Sequence, residues 1–158
     1  ITSASFDKSA AKRHFSQMQR RTFLFLPFMT TIAGAHSAKH GGIKIGHAWA
    51  LPASLGQDGQ CFMPLLNTDR TADALVAARS GICAFIELRR NARYDDPAET
   101  AFGLEHNKPI AMRPQANHLR LTELSQELKL GDRFKLVLDF LNAGEIELEV
   151  YVEQTPGE

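Results

Sequence analysis

The chain has 158 residues with 18 Lys/Arg against 18 Asp/Glu, a length suited to one domain with one core. The charge is uneven: residues 1–35 hold five basic residues and a single acid (Asp7), so the remainder, with 13 basic and 17 acidic residues, carries a net charge of −4. An acidic body excludes the electrostatic footprint of a nucleic-acid binder, and two cysteines without CxxC spacing exclude a disulfide-dense scaffold.

The N-terminus reads as an export segment. Gln19-Arg20-Arg21-Thr22-Phe23-Leu24 is a twin-arginine pair followed by an apolar run to about Gly34, with small residues Ala33-Gly34-Ala35 after it. Residues 1–35 are therefore expected to be a twin-arginine-type signal or a retained anchor, and the protein to be periplasmic or held at the inner membrane. The run is short for a span of about 20 apolar residues, so membrane contact is expected only through residues 20–35, if the leader is kept. Residues 36–42 read as a linker. An oxidising compartment leaves Cys61 and Cys83 open to a disulfide, to two buried thiols or to a metal site.

From Gly41 onward the pattern has a period of two. Ile43–Ala50, Gln60–Leu66, Ile82–Arg90 and His118–Leu124 are predicted strands, with Met63 and Trp49 as core residues. Phe134, Leu136, Leu138 and Phe140 alternate with more polar neighbours, and Ile146, Leu148, Val150 and Val152 alternate with Glu145, Glu147, Glu149 and Tyr151. Asn142-Ala143-Gly144 between them predicts a hairpin, with the glutamates guarding an edge. Asn91–Thr100, rich in charge, is predicted to be a flexible loop. Short strands without an amphipathic helix predict an all-β antiparallel sandwich over 43–153, with a tail at 154–158.

Alternation also sorts the faces. If Ile86, Leu88, Leu119 and Leu121 point into the core, then Glu87, Arg89, His118 and Arg120 point out of it. Arg89, His118 and Arg120 then form a small basic patch. One reading is a docking site for a carboxylate or acidic surface; the other is solvated arginines paired with Glu87 or Glu123.

Several segments taken together resemble the PCu(A)C family of periplasmic copper chaperones. They are Ile45-Gly46-His47-Ala48-Trp49-Ala50, Asp73-Ala74-Leu75-Val76, Glu87-Leu88, Gly103-Leu104-Glu105, Leu128-Lys129-Leu130-Gly131-Asp132 and the hairpin ending Gly144–Val150. The resemblance spans about Ile43 to Val152 and implies a cupredoxin-like β-sandwich. It also implies a copper site of a His after Glu-Leu, a Met in the following loop and a later His-x-Met pair, donors that suit Cu(I). Here the first position is Arg89, the loop has no Met and is shorter, His118 matches the later His, and Arg120 stands at the paired Met. One ligand of four remains, and a guanidinium cannot bind a metal.

Other candidate copper ligands are His36 and His40 at the start of the expected mature chain, with His47 close behind. His106 and Met112 precede His118 but fit no family spacing. No Gly-x-Ser-x-Gly, phosphate loop or His-Glu-x-x-His is present, and Asp95-Asp96 before Pro97 reads as a turn, so an enzyme is not expected. The sequence thus supports two functions: copper handling, such as delivery to a respiratory oxidase, or a metal-free accessory subunit that binds a protein partner. The expected partner is a copper acceptor or a membrane complex.

Overall fold

The computed structural model describes residues 38–155; residues 1–35, read above as an export segment, and His36 lie outside them. Eleven strands and no helix make up the described residues: β1 (Ala38–His40), β2 (Ile43–Ile45), β3 (Trp49–Ala50), β4 (Gly59–Phe62), β5 (Leu65–Asn67), β6 (Asp73–Arg79), β7 (Cys83–Arg89), β8 (Phe102–Leu104), β9 (His118–Leu124), β10 (Arg133–Phe140) and β11 (Gly144–Val152). β1-β2-β5 form one sheet, and β7-β9-β4-β3-β11-β10-β6-β8 the other. Bridges Leu65↔Ile110 and Asn67↔His106 tie β5 to the chain that follows β8, giving a barrel-like sandwich. The all-β expectation holds, and every strand pair is antiparallel except β3 with β11, which run parallel through Trp49 and Ala50.

The period-two pattern places the core. Phe134, Leu136, Leu138 and Phe140 are buried with Ile146, Val150 and Val152, and they meet Phe62, Met63, Leu119 and Leu121 across the interior. Each such side chain contributes on the order of 1.5–3 kcal/mol by leaving water. On the outer face Glu145, Glu147 and Glu149 pair with Arg79, Lys135 and Arg133. β11 is not a free edge along its whole length, because Tyr151 and Val152 pair with β3.

Turn chemistry joins the elements. β1, which falls in the stretch read as a linker, pairs with β2 through His40↔Ile43, leaving Gly41-Gly42 as the turn. Gly41 has φ +56°, and the Asp69 carboxyl group lies where a Cβ on Gly42 would stand. In the β10–β11 hairpin, Phe140 pairs with Gly144, so the connection is Leu141-Asn142-Ala143. Asp73, at the start of β6, accepts N–H bonds there from Asn142 (2.9 Å) and Ala143 (2.9 Å), and from its own neighbour Ala74 (2.7 Å). One carboxylate thus fixes a distant hairpin loop to β6.

β9 is irregular near its end. Glu123 has φ +50°, and its N–H donates to Asp58 Oδ1 at 3.2 Å. Asp58 therefore holds the bend from the loop before β4, and the same carboxylate reaches Arg120.

Candidate functional site

β7, β9 and β4 lie side by side. Their register sets Arg89 opposite His118, Glu87 opposite Arg120 and Gln60 opposite Arg120. The three positions singled out by the sequence therefore do share one face of the sheet. They do not form the expected exposed basic patch: Arg89 is 3% exposed and His118 fully buried. The reason is the chain after β7. Glu99 N–H donates to Leu88 O at 2.9 Å, folding residues 91–100 back over this face. The stretch predicted to be a flexible loop is tied down as a roof.

Tyr94 is the inner side chain of that roof. Its hydroxyl accepts from Gln60 Nε2 at 2.7 Å and lies 3.1 Å from His118 Nε2. On the other side of the imidazole, Nδ1 lies 2.7 Å from the Ala116 carbonyl, which can only accept. Nδ1 therefore carries the proton, and Nε2 accepts from Tyr94 O–H. Donation runs one way, from Gln60 through Tyr94 and His118 to Ala116, and both ring nitrogens are engaged.

The arginines are held as tightly. Arg120 donates through Nε to Asp58 Oδ2 (2.9 Å) and through Nη1 to Glu87 Oε2 (3.0 Å). Its Cζ lies 4.1 Å from the Tyr94 ring centroid. Arg89 donates through Nη2 to the carbonyls of Arg93 (2.6 Å) and Asp96 (2.9 Å), and its Cζ lies 5.2 Å from the same ring. The acid partners are Asp58 and Glu87; Glu123 contributes its backbone N–H to Asp58. Behind the imidazole, Phe62 sits 6.2 Å from His118 and 4.4 Å from Trp49, ring to ring.

Burial holds the His118 imidazole below its ordinary value, and the Arg89 and Arg120 charges add to this against the opposing Ala116 hydrogen bond. A histidine lowered on folding is protonated first in the unfolded chain. This part of the stability is fully present above the unfolded value of about 6.5 and is lost as pH falls, at up to about 1.4 kcal/mol per pH unit, until the folded imidazole titrates. Urea midpoints measured from about pH 7.5 to 5 should fall for the wild type, and His118→Asn should lack that part of the slope.

The remaining candidates lie apart from this cluster. His47 Nε2 meets the Glu153 carboxylate at 3.0 Å, and its ring stacks on Tyr151. His106 is held by Asp69 O (2.8 Å) and Asn107 Nδ2 (3.0 Å) at the β5 end. Met112, Met63 and Trp49 are core residues. His40 lies in β1. Cys61 is a buried free thiol and Cys83 a half-buried one, and burial pushes both thiols up, which keeps them protonated near neutral pH. Among the described residues no group of three or more His, Cys, Asp or Glu is placed to hold a metal ion. Sequence reasoning missed Tyr94, Gln60 and Asp58. Only Tyr94 left a signal, as an aromatic residue in the loop to which the resemblance assigns a ligand.

The domain is a barrel-like β-sandwich in which β7 and β9 present Glu-Leu-Arg and His-x-Arg side by side. Residues 43–152 match the family described as lipoprotein LpqE-like, and the chain belongs to that family. Among solved structures it is similar to the copper-bound PCuAC domain from PmoF2, with 26% identity and a TM-score of 0.68 over 76% of this chain and 99% of that one. The apo PCuAC domain from PmoF1 (20%, TM-score 0.69, covering 76% and 100%) shares the fold. So does CuI-DR1885 from Deinococcus radiodurans (16%, TM-score 0.58, covering 78% and 85%). No curated protein matches. These relations put the chain among PCuAC-type domains, and copper is bound in the PmoF2 domain and in CuI-DR1885.

Proposed function

We propose that this is an exported, PCuAC-type member of a copper-handling family that works by contact with a protein partner and carries no copper at the His118 position. It is not an enzyme on this reading, and its place is the periplasm, free or anchored to the inner membrane. The observation that carries the proposal is the state of His118: fully buried, with both ring nitrogens in hydrogen bonds. The residues here do not fit a copper ion. A ligand nitrogen needs a free lone pair, and Nε2 already uses its own toward Tyr94. The two guanidiniums beside it oppose a cation and offer no donor pair in exchange. A family scaffold kept intact around a position without a set of metal ligands supports the accessory role in a membrane-bound complex.

A second reading keeps copper as cargo, and the copper-bound PmoF2 domain favours it. On that reading the domain aids copper delivery or oxidase maturation, and the ligands would have to come from His118 with the N-terminal His36 and His40. Titration of Cu(I) against a competing chelator separates the two. Wild type and His118→Ala should both compete no better than about micromolar. Tighter binding that the variant loses would defeat the first reading, and tighter binding lost only in His36→Ala or His40→Ala would move the cargo to the N-terminus.

A further inference from the structure

β7 is the last strand on one side of the large sheet. β9 pairs with one of its edges, and β6, joined to it through Ser80-Gly81-Ile82, pairs with β10 and β8 instead. Two contacts fix which backbone groups point away from β9. The Phe85 N–H and C=O both meet the Thr122 hydroxyl on the β9 side, at 3.3 and 2.8 Å. The Leu88 carbonyl accepts from Glu99 N–H on the other side at 2.9 Å. Neighbouring residues of a strand alternate in direction, so Ala84 and Ile86 turn their N–H and C=O groups to the open edge, as Leu88 does.

Edge strands are ordinarily guarded by charges or a proline. From Ser80 to Ile86 this one carries neither. Phe85 is 55% exposed, and Cys83 and Ile86 are only partly buried against the core. The free stretch is also bounded on both sides. Glu99 closes the edge at Leu88, and the turn from β6 ends it before Cys83, which leaves Cys83 to Glu87. Its one charge, Glu87, is held by Arg120 at 3.0 Å.

We propose that the β7 edge is where two copies of this chain join, strand to strand and antiparallel, about a two-fold axis at Phe85. The free stretch is centred on Phe85, so a two-fold there uses all of it in both copies. A longer foreign strand would run into the segment that Glu99 fixes to Leu88. In this register Ala84 of each copy exchanges both backbone bonds with Ile86 of the other. Phe85 meets Phe85 at a non-hydrogen-bonded position, where side chains lie closest. Glu87 faces Cys83 rather than another Glu87, so no like charges are opposed. The contact is smaller than a standard interface, and the dimer is correspondingly weak, with a Kd of about 0.1–1 mM. The joint stands whether or not copper is carried, because it uses no metal ligand.

The test uses the full ¹⁵N-labelled chain in metal-free, reducing buffer. Raising its concentration toward about 1 mM should move the Ala84 and Ile86 amides along a monomer–dimer curve, and sedimentation should show the dimer. Phe85→Lys, at an exposed position, should keep the urea midpoint and weaken the dimer by about tenfold or more. Disulfide trapping then reads the register. In a Cys83→Ser background, Phe85→Cys sets two thiols across a non-hydrogen-bonded pair with Cα atoms about 4.5 Å apart, within disulfide reach. Under mild oxidation it should cross-link about tenfold faster than Leu55→Cys in the same background, a comparably exposed position away from β7. A chain that stays monomeric to about 1 mM, a dimer that survives Phe85→Lys, or trapping no faster at Phe85→Cys than at Leu55→Cys would overturn the proposal. So would a monomeric chain whose Ala84 and Ile86 amides respond saturably to an uncharged threonine–valine peptide, because the edge would then take a foreign strand.

Discussion

Replacing Arg89 with alanine should destabilise the domain by about 2–3 kcal/mol and release residues 91–100 from the sheet. The guanidinium makes charge-assisted bonds to the carbonyls of Arg93 and Asp96, and these two bonds set the path of the roof. Without them the carbonyls turn to water in the adjoining cleft, which limits the loss, while the space left by the side chain adds to it. Arg89→Met separates the two effects. It restores apolar volume and removes a buried charge, so global stability should recover in part. The loop should stay loose, because neither carbonyl regains a donor. Urea unfolding followed by Trp49 fluorescence reads the first effect, and amide exchange over residues 91–100 reads the second. Equal loop protection in wild type and Arg89→Met would show that the roof is held by something else.

Asp73→Ala should cost about 3 kcal/mol, and the effect should appear far from the mutated residue. The Asp73 carboxylate accepts N–H bonds from Ala74, Asn142 and Ala143, and it is 9% exposed. Truncation leaves three half-buried backbone donors without their acceptor, a loss that water from the adjoining cleft offsets only in part. Asp73→Asn keeps one oxygen and should lose less, about 1–2 kcal/mol, since one amide oxygen serves fewer donors and without charge. The midpoint of urea unfolding gives both values. Faster amide exchange at Asn142 and Ala143, with β7 and β9 unchanged, would place the damage in the β10–β11 connection.

Much of this architecture is legible in the sequence because strand alternation is a local signal. His118–Leu124 coincides with β9, and the two halves of the terminal hairpin match β10 and β11 closely. The short strands β1 and β8, each of three residues, are too brief to show a period. The parallel contact of β3 with β11 joins residues about a hundred positions apart, and no local pattern encodes it.

The site was legible only in part, for a related reason. Alternation sets Arg89, His118 and Arg120 on one face, and the register agrees. Whether that face meets water depends on a loop that folds back onto it, which is a tertiary event. Arg89 carries the sequence cue most easily misread. An arginine at a strand end suggests solvent, but this one satisfies carbonyls of the next loop from a buried position. Tyr94 completes the arrangement by taking the imidazole nitrogen that a metal would need.

The most direct test of that claim is the state of the His118 ring in solution. Long-range ¹H–¹⁵N spectra of the labelled full chain near neutral pH should show a neutral imidazole protonated at Nδ1, with Nε2 as hydrogen-bond acceptor. One equivalent of Cu(I) should leave both nitrogen signals in place. A shift or loss of the Nε2 signal at one equivalent would contradict the account, because it would mean that copper displaces Tyr94 and that the site still chelates.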